Sequence, residues 1–126
     1  MKFGVLLGLL CLATGVFAQE KKYDLKLSDV SIRRDADSVI IDGRVENSGD
    51  KTLKKIRFFI AFRDPDHQTV STRDGHIEPK ALGPGEDSEF HALVPDAVRA
   101  VDVVFRFEDG SGREVDAANS GPFTIE

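Results

Sequence analysis

The chemistry open to this 126-residue chain rests on three histidines, 22 acidic residues and a single cysteine. His67, His76 and His91 fall in a turn, in a polar strand and at an outward strand position, where His91 alternates with Phe90 and Ala92. A zinc or copper site needs several ligands that converge, and neither a cysteine pair nor an internal methionine is present to help. The histidines are therefore expected on the surface, without a shared metal. Asp64-Pro65-Asp66 and Asp109-Gly110-Ser111-Gly112-Arg113-Glu114 carry oxygen ligands of the kind calcium uses. An EF-hand loop also needs its ligands at set positions and a helix on each side. Arg113 intrudes on the second segment and strand patterns flank both, so they read as hairpin turns, with a weak loop-borne calcium site as the alternative. Ser48, Ser111 and Ser120 neighbour glycines, but no Gly-x-Ser-x-Gly elbow exists and no phosphate loop. No carboxylate sits in an apolar setting that would raise its pKa for acid work. No catalytic residue, metal or cofactor is expected, and the chain does not read as an enzyme.

The amino terminus places the protein in the cell. Met1-Lys2, an apolar run from Phe3 to Phe17 and then Ala18-Gln19-Glu20 describe a secretory signal peptide. Val16 and Ala18 satisfy the small-residue rule at the cleavage site, which puts the signal at 1–18 and the mature start at Gln19. The run is too short to span a bilayer comfortably, which takes about 20 apolar residues. Cys11 follows bulky Leu10, where acylation calls for a small residue, so it belongs to the discarded peptide. The mature chain then has no cysteine and no disulfide, and a domain of about 100 residues must be held by its apolar core. Cleavage removes Lys2 alone among charged groups, taking the basic count from 17 to 16 against 22 acids, a net charge of −6. The charges are interspersed, which argues against nucleic acid as a partner, since that needs a concentrated positive face. Secretion or a periplasmic location is expected, with no membrane span after cleavage.

Residues 19–24 form a short, flexible polar lead before a domain at 25–126. In Val39 to Asn47 the odd positions are small or apolar, and in Ile56 to Arg63 the even ones are large and apolar. A period of two means half-buried strands. Asn47-Ser48-Gly49-Asp50, between them, is a turn whose residues tolerate positive φ. Tyr23, Leu25 and Leu27 alternate with one parity, Val30 and Ile32 with the other, as a β-bulge or a strand changing sheets would produce. Arg33 to Ser38 reads as a charged turn, and Thr69 to Ile77 as a polar edge strand or a pair of them. Seven to eight short strands without a convincing helix predict an immunoglobulin-like antiparallel β-sandwich. Its expected inward set is Leu25, Leu27, Val39, Ile41, Val45, Ile56, Phe58, Ile60, Phe62, Phe90, Val101, Val103, Phe105 and Phe107.

Val45-Glu46-Asn47 before a glycine-containing turn, an apolar strand ending at Asp64, then Leu82-Gly83-Pro84-Gly85-Glu86 and Phe90 resemble the FxLYD-type domain, a small immunoglobulin-like module of exported bacterial proteins. At that family's name motif this chain has Ile60-Ala61-Phe62-Arg63-Asp64, with Asp64 the literal match. Adhesion-related domains built on the same Val-x-Asn-x-Gly and Pro-Gly-Glu devices are similar too. Both resemblances imply a module for holding or binding and supply no catalytic residues.

The outward series are Arg57, Phe59, Ala61, Arg63 on one strand and Asp102, Val104, Arg106, Glu108 on another. These strands are neighbours in an immunoglobulin-like sandwich, which would set Phe59 beside Val104, rimmed by Arg57, Arg63 and Arg106. An apolar pair among arginines has the make-up of a protein-contact patch. The expected role is contact with another exported or envelope protein. The alternatives are a ligand-binding module, for carbohydrate or a weakly bound metal ion, and a small accessory or inhibitor subunit.

Overall fold

Successive side chains of a β-strand point to opposite faces, so a strand buried on one side hides every second residue. That pattern organises this molecule. The computed structural model describes residues 23–97 and 99–126; the expected signal peptide and residues 19–22 lie outside them. The strands are β1 (Leu25–Asp35), β2 (Ser38–Asn47), β3 (Leu53–Lys54), β4 (Arg57–Arg63), β5 (Thr69–His76), β6 (Ala81–Leu82), β7 (Asp87–Pro95), β8 (Asp102–Glu108), β9 (Glu114–Val115), β10 (Ala117–Ala118) and β11 (Phe123–Thr124). One sheet runs β10-β1-β2-β7; the other runs β11-β8-β4-β5, with β9 also on β8; β3 and β6 form a small separate pair. Every pairing is antiparallel except that of β1 with β10. This is an all-β sandwich, and its two layers bury the rows that the alternation predicts.

From β2 the inward row is Val39, Ile41, Gly43, Val45 and Asn47, from β4 Phe58, Ile60 and Phe62, and from β8 Val103, Phe105 and Phe107. Phe90 of β7 lies opposite Gly43, and Phe58 lies opposite Gly75 of β5. A Cβ on either glycine would stand 2.5 Å from the facing ring, so only glycine leaves room there. The two rings meet across the sandwich with centroids 5.3 Å apart, and Phe90 packs edge-on against Phe105 at 5.8 Å.

The parity switch in β1 is a bulge between Ser28 and Ser31 within one sheet, with Asp29 at φ 53°. The segment expected as a charged turn is shorter than predicted: β1 runs to Asp35 and β2 starts at Ser38. Thr69–His76 is a single edge strand. After β8 the chain laces the layers together. β9 pairs β8, β10 pairs β1, and β11 returns to β8. Between them the Phe105 N–H donates to the Ser120 carbonyl (2.9 Å), and the Glu126 N–H donates to the Ile32 carbonyl (3.0 Å). At the other end of the domain the Asp24 N–H donates to the Asp116 carbonyl (3.1 Å).

Two expectations need correction. Val101 is not in the core but 39% exposed; β8 begins after it, and Ala100, where the chain enters from a turn closed by its N–H on the Ala97 carbonyl, is buried instead. The core also takes Ile32, within β1 beyond the bulge, and Ile77, Leu82, Val115 and Ile125, which lie at strand ends and connections. Nor does the Asn47–Asp50 turn use positive φ. It is held by the Asn47 side chain, which is buried. Its Nδ2 donates to the Lys51 and Leu82 carbonyls (2.7 and 2.8 Å), while its Oδ1 accepts the Gly49 N–H (3.0 Å). Its backbone N–H and carbonyl pair with Glu86 and Gly85 (2.9 and 2.8 Å). Glu86 in turn accepts the Gly83 N–H on Oε1. One amide thus ties the end of β2 to the Leu82–Glu86 loop.

Asn47→Ala leaves the Leu82 carbonyl without this donor in a buried place, and unmade buried hydrogen bonds cost about 1–3 kcal/mol each. The expected loss is about 2–3 kcal/mol, read as a lower urea midpoint at unchanged slope; a loss under about 0.5 kcal/mol would show that the latch is dispensable.

Candidate functional site

Antiparallel register decides which outward side chains meet. β4 lies between β5 and β8, so each of its outward residues has two neighbours. Phe59 is opposite Asp74 on one side and Arg106 on the other; Arg57 is opposite His76 and Glu108; Ala61 is opposite Thr72 and Val104; Arg63 is opposite Asp102. Arg57, Phe59, Arg63, Val104 and Arg106 therefore share one sheet face. Val104 stands directly beside Ala61 and diagonal to Phe59. The ring of Phe59 is half-buried because guanidinium groups cover it: Arg106 lies 4.2 Å from its centroid and Arg57 5.0 Å. Such cation–π contacts favour the face of the ring, where its quadrupole is negative.

Each of these arginines also has a carboxylate. Arg57 pairs with Asp74, Arg106 with Glu108 (2.6 Å), and Arg63 makes a two-pronged contact with Asp102 (2.8 and 3.1 Å). Fork-to-fork pairing of this kind fixes geometry as well as charge. The hydrogen bonds from Arg63 hold the Asp102 carboxyl below its ordinary range, against an opposing effect of burial, and the same contact raises Arg63. The face is thus an apolar centre under a charge-compensated lattice. Asp102 and Glu108 are legible in the sequence as outward residues; the facing parity of adjacent strands is the signal that makes Asp102 a counter-charge, and the i, i+2 spacing the signal for Glu108.

The segments weighed for calcium are two copies of one loop. In Asp64–Gln68 and in Asp109–Arg113 the backbone N–H of the first residue donates to the carbonyl of the fifth, and its carbonyl accepts the N–H of the fourth. Oδ1 of the leading aspartate also takes the N–H of the third and fifth residues: Asp66 and Gln68 (2.9 and 3.0 Å), Ser111 and Arg113 (2.9 and 3.2 Å). The Ser111 hydroxyl, adding to those N–H groups, holds the Asp109 carboxyl below its usual value. The fourth position is left-handed in both, Gly112 at φ 86° and His67 at φ 65°. His91 places Nδ1 2.5 Å from Asp42 across β2 and β7, and His76 ends β5. The structure does not bring the three histidines together, and among the described residues no group of three or more metal-ligating side chains converges.

Comparison of the sequence with protein-family models gives no match, and comparison with curated proteins gives none. The structure is similar to that of IrmA from Escherichia coli, with a TM-score of 0.52 and 14% identity over 83% of this chain and 99% of that one. A DUF1425 family member from Shewanella sp. pv-4 is also similar (TM-score 0.47, 18% identity, 73% of this chain, 83% of that one). So is a part of β-glucosidase 3B from Thermotoga neapolitana (TM-score 0.47, 17% identity, 81% of this chain, 16% of that one). The likeness to IrmA supports the β-sandwich fold and nothing about activity.

Two outcomes follow from this geometry. Left-handed backbone costs an L-residue roughly 1–2 kcal/mol that glycine does not incur, less the extra entropy glycine loses on folding. His67→Gly is expected to stabilise the protein by about 0.5–1 kcal/mol in denaturant titration, and a loss of stability would show that the imidazole has a compensating contact. Asp102 has its pKa depressed by folding, so its contribution is complete above the unfolded carboxylate value of about 3.9 and fades as pH falls through the lower folded value. Asp102→Asn should lower Tm at pH 7 and flatten the acid limb of the Tm–pH curve below about pH 4; an acid limb identical to wild type would exclude the pair from acid unfolding.

Proposed function

We propose that this protein is an exported, non-enzymatic immunoglobulin-like module that works by contact with another exported or envelope protein, through the outward face of β5, β4 and β8. The observation that carries this reading is Phe59 covered by the guanidinium groups of Arg57 and Arg106 on the outward face of β4, between β5 and β8. Arginines and aromatics dominate the energetic centres of protein interfaces, where charge pairs gain strength as water is excluded. Covering this face would desolvate guanidinium groups that are already oriented. The leader-like residues 1–18 support export. Among the described residues no helix is long and apolar enough to cross a membrane.

The FxLYD-type assignment belongs to the same proposal. The residues that carry the resemblance are structural: Asn47 and the Leu82–Glu86 loop interlock, and Asp64 braces its own turn. Motifs of that kind maintain a scaffold and leave its faces free to vary, which suits a binding module.

The test places a photo-crosslinking residue at Thr72, beside the patch, and at Glu46, on the opposite sheet, in the exported protein. Crosslinking from position 72 to one discrete partner, absent from position 46 and abolished by Phe59→Ser or Arg106→Ala at unchanged Tm, is the expected result. The same products from both positions, or persistence in both variants, would overturn the reading.

A further inference from the structure

Lysine and arginine are used differently on this molecule. Among the described residues every ion pair takes an arginine or a histidine as its cation, and no lysine has one. Two of these unpaired lysines are brought together by the backbone. The Lys55 N–H donates to the Lys80 carbonyl (2.9 Å) just beyond the last rung of the β4–β5 ladder, where the Ile77 N–H meets the Ile56 carbonyl (2.9 Å). Lys55 itself is left-handed, at φ 52°, a conformation that side-chain-bearing residues adopt only where the surroundings impose it. Here they do: the Gly110 N–H holds the neighbouring Lys54 carbonyl (2.8 Å), and a Cβ on Gly110 would sit 3.0 Å from that of Lys55.

Lys55 and Lys80 line an open cleft of about 660 Å³, together with Arg57, His76 and the Gly110–Gly112 loop. Nε of Arg57 is buried and has no acceptor. Three acids also line the cleft, but two are engaged. Asp109 is enclosed by the N–H groups of its own loop, and Glu108 is held by Arg106. Of the three, Glu78 alone makes no side-chain hydrogen bond or ion pair. A protein with excess negative charge thus brings two lysines that lack a carboxylate partner to one concavity.

We propose that this cleft binds a phosphate-type oxyanion, carried either by a small soluble ester or by a lipid headgroup. Lysines supply adaptable point charges with three donors each, which suit a tetrahedral anion with several acceptor oxygens. The cleft is open to water, so binding is weak and salt-dependent. This inference stands apart from the protein-contact reading. The two share only Arg57, which the test leaves intact.

The experiment titrates the ¹⁵N-labelled protein with inorganic phosphate at constant ionic strength and follows backbone amides. Saturable shifts at Lys55, Ile77, Glu78 and Lys80, with a Kd on the millimolar scale, are expected. Lys55→Gly with Lys80→Ala should weaken the affinity at least about tenfold at unchanged or higher Tm, because glycine keeps the left-handed backbone. Lys26→Ala with Arg33→Ala removes equal charge elsewhere and should leave the affinity unchanged. Should the double variant unfold, Lys55→Gly and Lys80→Gln taken singly carry the comparison. A parallel flotation assay uses phosphatidylcholine vesicles with and without phosphatidic acid. Phosphate shifts without flotation identify a soluble ester; flotation that needs phosphatidic acid, without phosphate shifts, identifies a headgroup. Either result supports the site when the cleft variants abolish it. Absence of both, or equal loss in the cleft and control variants, overturns the proposal.

Discussion

Two phenylalanine rings, one from each sheet, meet at the centre of this sandwich, and each lies over a glycine of the neighbouring strand. Phe90 covers Gly43 and Phe58 covers Gly75, with 5.3 Å between the ring centroids. Stacked sheets sit about 10 Å apart, and these two rings lie over their neighbouring strands because the paired positions have no side chain. The constraint is tight, since a Cβ at either glycine would approach the ring to 2.5 Å. From Phe90 the contacts continue to Phe105 and from there to Phe123 of β11, at 5.8 and 5.7 Å. The central strands and the C-terminal lacing are therefore braced by one run of aromatic contacts. With the inward rows so fixed, β4 and β8 must turn their alternate residues outward, and the arginine-covered face of Phe59 results.

The domain has no cysteine among its described residues, so its ends are fastened by other means. Asn47 acts as a latch where β2 leaves the sheet, joining two carbonyls and one N–H from two stretches of chain, its own turn and Leu82. Asp64 and Asp109 close their loops from within by collecting backbone N–H groups. These three side chains do the same physical job. Each supplies partners for turn backbone that no ladder can satisfy, a need that buried or constrained polar groups always impose. Residues that look like metal ligands in the sequence are occupied by their own main chain.

Charge is divided with comparable order. Arginines sit on sheet faces, where register places a carboxylate opposite Arg63 and diagonal to Arg57, and Arg106 finds Glu108 two residues along its own strand. Lysines gather where strands end, and loops bring Lys55 and Lys80 together with no such counterpart. A paired guanidinium over an aromatic ring favours a surface that is stable when bare and strengthened when covered. Unpaired ammonium groups at a cleft favour an anion. The two regions meet at Arg57, so occupancy of one would be felt at the edge of the other.

The strand pattern, the bulge in β1 and nearly all of the inward set were legible in the sequence, because alternation is a local property that survives in any sheet with one buried face. So was the company of Arg57, Phe59, Arg63, Val104 and Arg106 on one face, which needed only parity and the neighbour order of the fold. Val101 escaped because parity says nothing about where the opposite sheet stops. The pairing of Gly43 with Phe90 and Gly75 with Phe58 escaped because it depends on register between strands far apart in the chain. The latch role of Asn47 and the convergence of Lys55 with Lys80 have the same origin, since loops meet only after the ladders have set their positions. Which side of each strand is apolar is written residue by residue and can be read without coordinates. Which polar groups find partners and which are left facing solvent depends on the folded arrangement, because hydrogen bonds and ion pairs require distances of a few ångströms between segments that the chain does not order by proximity.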